Sequence, residues 1–288
     1  MNAAFVGLGV MGGPMAGHLA SAGHHLRVFN RTPAKAIDWA KSHRGVVARS
    51  IAEAVEGQDM LVLCVGRDED VRGVVTEALP LMAADAIVVD HTTTSAHLAR
   101  DLADQARAAG KWFVDAPVSG GEAGAVSGQL SIMAGGEGSA VERATPVIQA
   151  YAKTIRHIGG PGAGQLTKMV NQICIAGVVQ GLAEAVAFAK AAELDTDLVL
   201  GAISKGAAQS WQMDNRWESM SRGEFEFGFA VDWMRKDLAL VLEEARHNGA
   251  RVEVTALVDQ FYAEVQALGG RRWDTSSLVS RLVRPRGT

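Results

Sequence analysis

Short apolar runs alternate with amphipathic stretches along the first 160 residues of the chain. Amphipathic segments such as Ala34–Ser42 and Ser95–Ala109 separate several of these runs and have the periodicity of helices. The apolar runs have the length of buried strands, and they are Ala3–Val6, Leu26–Phe29, Met60–Val65, Ala86–Val89, Trp112–Asp115, Ser131–Ala134 and Thr154–His157. Because strands and helices that alternate at this spacing form a parallel, doubly wound sheet, we predict an α/β Rossmann-type N-terminal domain.

The pattern changes at a glycine-rich joint, Gly159–Gly164, which precedes mainly helical sequence. Residues 164–194 have helical periodicity without proline, and a helix of that length would run about 45 Å, more than most helices of compact domains. The amphipathic segments that follow are Thr196–Gly206, Trp233–Asn248, Val254–Leu268 and Ser276–Val283. We predict a dinucleotide-binding domain over 1–160 and an all-α domain over 161–288, with the long helix 164–194 joining them. The helical domain is expected to contribute to the substrate site and to form a homodimer or homotetramer.

Composition and net charge exclude some classes of protein. The chain has 288 residues, of which 48% are hydrophobic and 21% charged, as in ordinary globular proteins. Its net charge of −4 argues against a general nucleic-acid binder. The N-terminus has no basic segment followed by an apolar one, so we expect no secretory leader. The apolar runs are interrupted before the roughly 18 residues that a membrane span needs. We expect a cytoplasmic protein that binds neither nucleic acid nor membrane.

Two isolated cysteines, Cys64 and Cys174, lie in apolar surroundings. We interpret both as buried free thiols, because their spacing suggests neither a disulfide framework nor a metal site. No cluster of histidine, cysteine and carboxylate residues has ligand spacing, so no metal is expected.

The first strand leads directly into Gly7-Leu8-Gly9-Val10-Met11-Gly12, which opens a helical pattern. A strand before this motif and a helix after it are the setting of a dinucleotide-binding unit. Gly7 permits the tight turn, Gly9 lets the backbone approach a pyrophosphate, and Gly12 lets the helix pack on the strand. The helix N-terminus then binds the phosphates. We predict that all six residues bind the cofactor.

Asn30-Arg31-Thr32 follows the second strand, where an NAD-binding unit normally places an acidic residue on the ribose 2′-hydroxyl. Arg31 offers a planar guanidinium for a 2′-phosphate, and Thr32 offers a hydroxyl. We therefore favour NADP(H) over NAD(H). An ordinary N-capped turn remains an alternative, because Thr32-Pro33 can begin a helix without any ligand.

Lys168 lies one turn into the long helix, three residues before Asn171, so the two share a helix face. It is close to the joint, where a cleft is expected, and has apolar neighbours. Desolvation lowers the pKa of a lysine, which suits it to proton transfer near neutral pH. An ordinary surface lysine is the alternative.

Function is also expected where the strands end, because ligands of such sheets bind beyond the carboxyl ends of the strands. Val65-Gly66, Asp90-His91-Thr92-Thr93 and Asp115-Ala116-Pro117 are these ends, and Val65 is assigned to cofactor contact. Ser119-Gly120-Gly121 presents a hydroxyl and amides suited to a carboxylate, although serine and glycine also build plain turns. His91 is interpreted as structural rather than as a base.

The helical half offers fewer candidates. Lys236 and Asp237 are interpreted as a pair on the surface of a helix. Trp211, Trp217 and Met213 suit a core, but aromatic side chains also line pockets, and Trp211 is assigned to the substrate site.

Four segments occur in an order typical of one family. They are Gly7–Ala16 (GLGVMGGPMA), Asp115–Gly121 (DAPVSGG), Gly162–Asn171 (GAGQLTKMVN) and Lys236–Leu238 (KDL). Together they resemble the β-hydroxyacid dehydrogenase family, which includes 3-hydroxyisobutyrate dehydrogenases, tartronate semialdehyde reductases and glyoxylate/succinic semialdehyde reductases. The resemblance spans nearly the whole chain.

The resemblance implies roles for individual residues. Lys168 would be the general acid/base, Asn171 would orient the substrate, and Ser119, Gly120 and Gly121 would bind the substrate carboxylate. Lys168, Asn171 and Ser119 are thus the implied catalytic residues.

The resemblance also implies that Thr93 and Lys236 line the cofactor site. Asn30-Arg31-Thr32 is similar to the NADPH-preferring branch, whereas NAD-dependent members have Asp there. One departure is Asp90-His91-Thr92-Thr93, where relatives commonly have serines, but the hydroxyls at 92 and 93 are retained.

The function predicted from these observations is an NADP(H)-dependent reductase or dehydrogenase that interconverts small aldehyde- or keto-carboxylates and hydroxyacids. An NAD-dependent 3-hydroxyisobutyrate-type dehydrogenase is an alternative. An imine reductase resembles this fold but generally lacks the lysine, and decarboxylating sugar-phosphate dehydrogenases are longer. A dinucleotide sensor without turnover is a further alternative, against which the intact lysine and serine loop argue.

Overall fold

The computed structural model describes residues 1–283 and contains two compact units, Met1–Lys168 and a second from Met169 onward. The domain division predicted from the sequence, 1–160 and 161–288, stays a prediction. The last residues of its second domain, 284–288, lie outside the described residues.

The first unit is built from alternating strands and helices. Its strands are β1 Asn2–Val6, β2 His25–Phe29, β3 Val46–Val47, β4 Met60–Leu63, β5 Ile87–Asp90, β6 Trp112–Asp115, β7 Val118–Ser119, β8 Leu130–Gly135 and β9 Ala152–Gly159. Its helices are α1 Gly12–Ser21, α2 Pro33–Ala40, α3 Ile51–Val55, α4 Asp68–Ala78, α5 Ala96–Ala108, α6 Gly121–Val126 and α7 Gly138–Ile148, with a 3₁₀ turn at Gln149–Tyr151. The predicted Rossmann-type class is confirmed.

The strands form one sheet in the order β3-β2-β1-β4-β5-β6-β8-β7, with β9 paired to β8. From β3 to β6 the pairing is parallel throughout, and residues at the carboxyl ends are in register: Leu63 pairs with Asp90, which pairs with Asp115. The predicted parallel sheet has one exception at β8, which runs antiparallel to β6 and β7. Apolar periodicity identifies a strand but carries no information about its direction.

Both faces of the sheet are covered, as parallel sheets require. In β1 the residues alternate between two buried clusters. Ala3 and Phe5 pack in the cluster that contains Leu19 of α1, and Ala4 and Val6 pack in the cluster that contains Val71 of α4. The near-continuous apolar sequence of the strands follows from this burial on two sides.

The second unit is helical. Helix α8, Ala163–Ala191, begins before the end of the first unit, and it is followed by α9 Thr196–Ile203, α10 Trp211–Arg222, α11 Val231–Asn248, α12 Glu253–Ala267 and a 3₁₀ helix Thr275–Arg281. Its core includes Val186, Trp217, Leu238 and Tyr262. One expectation needs correction: Ser276–Val283 was predicted as an amphipathic α-helix, whereas Thr275–Arg281 is a 3₁₀ helix. Helix α10 was not predicted.

Helix α10 escapes a search for apolar stripes because most of its residues are polar. Its beginning is nevertheless marked by Ser210, whose hydroxyl accepts a hydrogen bond from the Met213 amide, and its end by Gly223 at φ 75°. These are ordinary N-cap and C-cap signals that the sequence carries.

Helix α8 is long and apolar enough to cross a membrane by length and composition alone. It has 29 residues, and an 18-residue window has a mean hydropathy of 1.6. The apolar residues of α8 are nevertheless interrupted by polar ones such as Gln180 and Glu184, as expected from the sequence. One such helix is weak support for a membrane segment, because core helices pass the same test, and 44% of the window is buried.

The interpretation of both cysteines as buried needs correction. Neither forms a disulfide in the described chain, but Cys174 is exposed on α8 and Cys64 is half-buried. Cys174 lies in a short apolar run, 173–179, whose pattern does not reveal which side of the helix faces solvent.

Candidate functional site

The glycines after β1 have the geometry of a phosphate-binding turn. Gly7 has φ 98°, and a Cβ there would collide with the Cys64 carbonyl. A Cβ on Gly12 would collide with the Gly7 carbonyl, whereas a Cβ on Gly9 would have no heavy atom of the described chain within 4 Å. The backbone at Gly9 is therefore open to approach by another molecule, which is the feature that a bound pyrophosphate requires.

The second strand end holds this turn in shape. The Asn30 side chain accepts a hydrogen bond from the Leu8 amide at 2.9 Å and donates one to the Thr32 carbonyl at 3.0 Å. Thr32 precedes α2, but within the described chain its side chain makes no capping hydrogen bond. Val10, between Leu8 and the start of α1, is exposed.

Arg31 extends from this edge with 87% of its side chain exposed, and its guanidinium lies 3.0 Å from a carboxylate oxygen of Asp70. Asp70 belongs to the first turn of α4, which also contains Asp68 and Glu69. A carboxylate therefore lies near the position proposed for the 2′-phosphate. Sequence reasoning missed it because Asp70 is 39 residues from Arg31.

The ends of β4 and β5 are linked by a threonine. The Val65 amide donates to the Thr92 hydroxyl at 3.0 Å, and the Thr92 amide donates to the Asp90 carboxylate at 2.9 Å. Thr92 and Thr94 are buried, and Thr93 between them is half-buried. The structure thus brings Val65 and the Thr92–Thr94 segment together.

Lys168 lies beside the serine loop. It is only 8% exposed, and its ammonium donates to the Val118 carbonyl at 2.8 Å. Val118 precedes Ser119, and the two form β7. Gly120 and Gly121 follow with φ of 128° and 61°, values that favour glycine, and Gly121 begins α6. Lys168 and the predicted carboxylate loop therefore share one locality in the first unit.

Two buried residues to which sequence reasoning assigned no individual role, Asp115 and Gln165, hold the first turn of α8 in place. Asp115, at the end of β6, accepts hydrogen bonds from the amides of Gly162 at 2.8 Å and Gln165 at 2.9 Å. The Gln165 side chain donates to the Thr92 carbonyl at 2.7 Å and accepts from the Thr94 amide at 3.0 Å. A glutamine in the apolar start of a helix was the available signal.

Burial shifts the ionisation of three groups at these strand ends. It raises the pKa of Asp115 to about 6, against the opposing effect of the amides that bind its carboxylate. It raises the pKa of Asp90 to about 7, despite hydrogen bonds from Thr92. It lowers the pKa of His91 to about 4. Removal from water disfavours the charged form in each case.

His91 is a buried structural residue. One ring nitrogen lies 2.6 Å from the Ala116 carbonyl, to which it must donate, and the other lies 2.8 Å from the Tyr151 hydroxyl. Both nitrogens of the neutral imidazole are thus occupied, which agrees with the sequence interpretation.

Asn171 and Lys236 belong to one polar network of the second unit. Asn171 donates to Gln172 at 2.9 Å, and Gln172 donates to Asp237 at 2.6 Å. The Lys236 ammonium lies 2.9 Å from the same carboxylate, and the Lys236 and Asp237 side chains are only 16% and 2% exposed. The interpretation of Lys236 and Asp237 as a surface pair is therefore wrong, because both side chains of α11 are largely removed from solvent.

Trp211 differs from the other aromatic candidate of its helix. Trp217 is 1% exposed and packs in the core, as does Met213, whereas Trp211 is 54% exposed. The Arg216 guanidinium lies 5.1 Å from the Trp211 ring centre and 4.9 Å from that of Phe227. Trp211 is thus an exposed ring held against a cation.

Family models match both halves of the chain. Residues 2–159 match the NAD binding domain of 6-phosphogluconate dehydrogenase. Residues 162–282 match the model described as NAD-binding of NADP-dependent 3-hydroxyisobutyrate dehydrogenase.

Individual proteins are similar over the same length. An uncharacterized oxidoreductase of Shewanella frigidimarina is 56% identical, with 98% of each chain covered. The 2-hydroxy-3-oxopropionate reductase of Escherichia coli is 34% identical over 98% of this chain and 97% of its own. A solved structure of Mycobacterium tuberculosis 3-hydroxyisobutyrate dehydrogenase with L-serine has a TM-score of 0.90 and 32% identity, covering 98% of this chain and 99% of that one.

Proposed function

We infer that this chain interconverts small aldehyde- or keto-carboxylates and their hydroxyacids, with NADP(H) as the preferred cofactor. The chain belongs to the β-hydroxyacid dehydrogenase family and is an NAD(P)-dependent oxidoreductase acting on CH–OH groups. The observation that carries this proposal is the placement of Lys168. Its ammonium is buried and held at the Val118 carbonyl, directly beside Ser119.

Lys168 is proposed to move the proton. When bound, a nicotinamide cofactor supplies or accepts the hydride. As a carbonyl is reduced, negative charge develops on its oxygen, and Lys168 would donate a proton there. In the oxidative direction the neutral amine would take the hydroxyl proton from the same oxygen. The hydrogen bond to Val118 holds the ammonium in one position. The side chain is therefore pre-organised for proton transfer.

The Ser119-Gly120-Gly121 loop is proposed to bind the substrate carboxylate. The positive φ values of the two glycines form a tight turn at the start of α6, and backbone amides at such a turn suit an anion. The serine hydroxyl adds a donor. The relatives are in keeping with such a substrate, because 2-hydroxy-3-oxopropionate and L-serine both have a carboxylate close to the oxygen-bearing carbon. Asn171 is proposed to orient the substrate, and Trp211 to line its site.

The NADP(H) preference is proposed on the basis of Arg31. Its exposed guanidinium has the geometry to bind a 2′-phosphate through two donors. Gly7-Leu8-Gly9-Val10-Met11-Gly12 and Asn30-Arg31-Thr32 are proposed to bind the nucleotide, and Val65, Thr93 and Lys236 are proposed as further cofactor-binding residues.

NAD(H) dependence is a second candidate, and Asp70 favours it. Asp70 already binds Arg31 and would repel a 2′-phosphate, whereas a carboxylate near the ribose is compatible with NAD(H). The preference for NADP(H) is therefore expected to be moderate.

A spectrophotometric assay tests the proposal. NADPH and NADH oxidation should be followed with glyoxylate, succinic semialdehyde and tartronate semialdehyde, and with an aldehyde that has no carboxylate as control. We expect turnover of at least one carboxylate substrate, with higher kcat/KM for NADPH. Comparable turnover of the uncharged aldehyde would contradict the carboxylate role of the loop, and no turnover of any would contradict the function.

The chain is also proposed to act as a cytoplasmic homodimer or homotetramer. Exposed apolar side chains of the second unit support assembly, among them Phe188 and Leu198, which are 72% and 75% exposed. Isolated apolar residues are common on surfaces, so light scattering on the purified protein is the deciding measurement. A monomer at micromolar concentration would contradict the proposal.

A further inference from the structure

Gln165 lies at the centre of the contacts that the first turn of α8 makes within the first unit. It is completely buried, and Lys168 follows it by three residues on the same helix. A side-chain amide is both donor and acceptor, and Gln165 uses both functions.

The side chain of Gln165 binds the backbone on the two sides of Thr93. It donates to the Thr92 carbonyl at 2.7 Å and accepts from the Thr94 amide at 3.0 Å. Because Thr92 and Thr94 are themselves buried, their backbone groups have no water to replace these bonds, and a lost partner is costly. The two bonds fix Thr93 between them and leave its side chain half-exposed.

The backbone of Gln165 is held as well. Its amide donates to Asp115, which also binds the Gly162 amide. A Cβ on Gly164 would lie 2.6 Å from the Asp115 carbonyl, so the chain segments are in direct contact. Gln165 therefore cannot shift along the sheet without breaking the attachment of α8 to the end of β6.

We propose that Gln165 is a positioning residue that sets the distance between the Thr92–Thr94 segment and Lys168. One end of the residue fixes the segment that contains Thr93, and the helical turn that follows fixes the lysine. Gln165 itself acts through these neighbours. The inference rests on the proposed function for the roles of Thr93 in cofactor binding and of Lys168 in proton transfer.

Gln165→Met tests the inference, because methionine has a similar length and volume but neither hydrogen-bonding function. Gln180→Met is the matched control. Gln180 is another buried glutamine of α8, 7% exposed, and its amide donates to Glu184 in the same helix at 2.7 Å. Both variants lose a buried amide, but only Gln165→Met releases the Thr92–Thr94 segment.

We expect Gln165→Met to lower kcat about tenfold or more, because misplacement of reacting groups by about 1 Å costs up to about a hundredfold in rate. The isotope effect with NADPH deuterated at nicotinamide C4 should increase, since hydride transfer becomes more rate-limiting. Gln180→Met should keep kcat within about twofold of the wild type. If the two variants lose similar thermal stability but show the same kcat and the same isotope effect, the inference is overturned and Gln165 is merely structural.

Fluorescence titration with NADPH gives a reading that needs no substrate. Gln165→Met should raise the Kd for NADPH about threefold or more, a small loss by the standard of buried hydrogen bonds, while Gln180→Met leaves it unchanged. If the wild type turns over none of the carboxylate substrates, the proposed function fails, and the titration still decides the inference: equal affinity of both variants would overturn it.

Discussion

At the scale of single residues, Lys168 offers the most direct test of proton transfer. General acid–base groups contribute about 10²–10⁴-fold to rate, so Lys168→Ala should lower kcat at least about a hundredfold, with little change in NADPH affinity. Arginine should not restore activity, because guanidinium retains its proton. Lys153→Ala, at an exposed lysine of β9, is the control for loss of a lysine. A folded Lys168→Ala enzyme that keeps more than about a tenth of wild-type kcat would rule out this role.

Arg31 and Asp70 together allow the cofactor preference to be changed in two directions. Arg31→Ala should raise the Kd for NADPH about tenfold, the lower end of the range for a charge-assisted hydrogen bond because Arg31 is exposed. Asp70→Asn should lower that Kd by about twofold to fivefold, since an exposed charge repelling the 2′-phosphate is removed.

The control for this pair is Asp104→Asn, which removes an exposed carboxylate that pairs with Arg107 elsewhere in the unit. NADH affinity should change little in all three variants. Equal losses of NADPH and NADH affinity in Arg31→Ala would show that Arg31 does not bind the 2′-phosphate.

At the scale of elements, the first turn of α8 requires glycine at position 164 because other chain segments approach it closely, whereas position 177 of the same helix has no such requirement. A Cβ on Gly164 would lie 2.6 Å from the Asp115 carbonyl and closer still to the Met133 carbonyl, whereas a Cβ on Gly177 has nothing within 4 Å in the described chain. Gly164→Ala should destabilise the protein by about 1–3 kcal/mol through overpacking. Gly177→Ala should stabilise it by up to about 1 kcal/mol through helix propensity.

Urea unfolding of the two variants measures the difference. Both substitutions add one methyl group to the same helix, so a difference of opposite sign isolates the contact with Asp115 and Met133. Equal stabilisation by the two alanines would mean that α8 can begin without this close approach.

The sequence predicted the elements that bury a continuous apolar run or stripe. Five of the parallel strands and the long helix were placed within a few residues, since burial on two faces leaves a direct mark on composition. The two-residue strands β3 and β7 were missed because two residues cannot show a period. The antiparallel direction of β8 was not predicted because alternation is the same in both directions.

The candidate site could be predicted only where its residues are close in sequence. The glycine turn, the serine loop and the lysine helix each carry a local motif. The partners of Gln165 are 71 and 73 residues away, and the partner of Arg31 is 39 residues away. Such pairs depend on the order of strands in the sheet, which periodicity does not encode. Whether these residues act as proposed stays a prediction.

At the scale of the whole molecule, buried ionisable groups give stability a pH dependence of known sign. The folded-state pKa of Asp90 is raised from 3.8 to about 7, so the folded protein binds more protons than the unfolded chain between these values. Stability therefore falls as pH rises through this window. His91, with its pKa lowered to about 4, has the opposite effect below its ordinary value of 6.5.

Because these slopes oppose each other, a variant is more informative than the wild-type profile. Asp90→Asn keeps an acceptor for the Thr92 amide but does not ionise. Relative to wild type, its Tm should improve between pH 5 and pH 8, whereas Asp38→Asn, at an exposed carboxylate, should show no such trend. Thermal denaturation at several pH values checks this. A constant Tm difference between Asp90→Asn and wild type would mean that Asp90 has no raised pKa.

The attachment of α8 to Asp115 has a consequence for anyone who wishes to recombine such enzymes. The matched family models meet between residues 159 and 162, and a chimera joined there would inherit its lysine helix from one parent and the carboxylate beneath it from the other. The contacts of Asp115 with Gly162 and Gln165 lie across that seam. If the crossover is placed after Lys168, where the first compact unit ends, the end of β6, the start of α8 and Lys168 all come from the same parent protein.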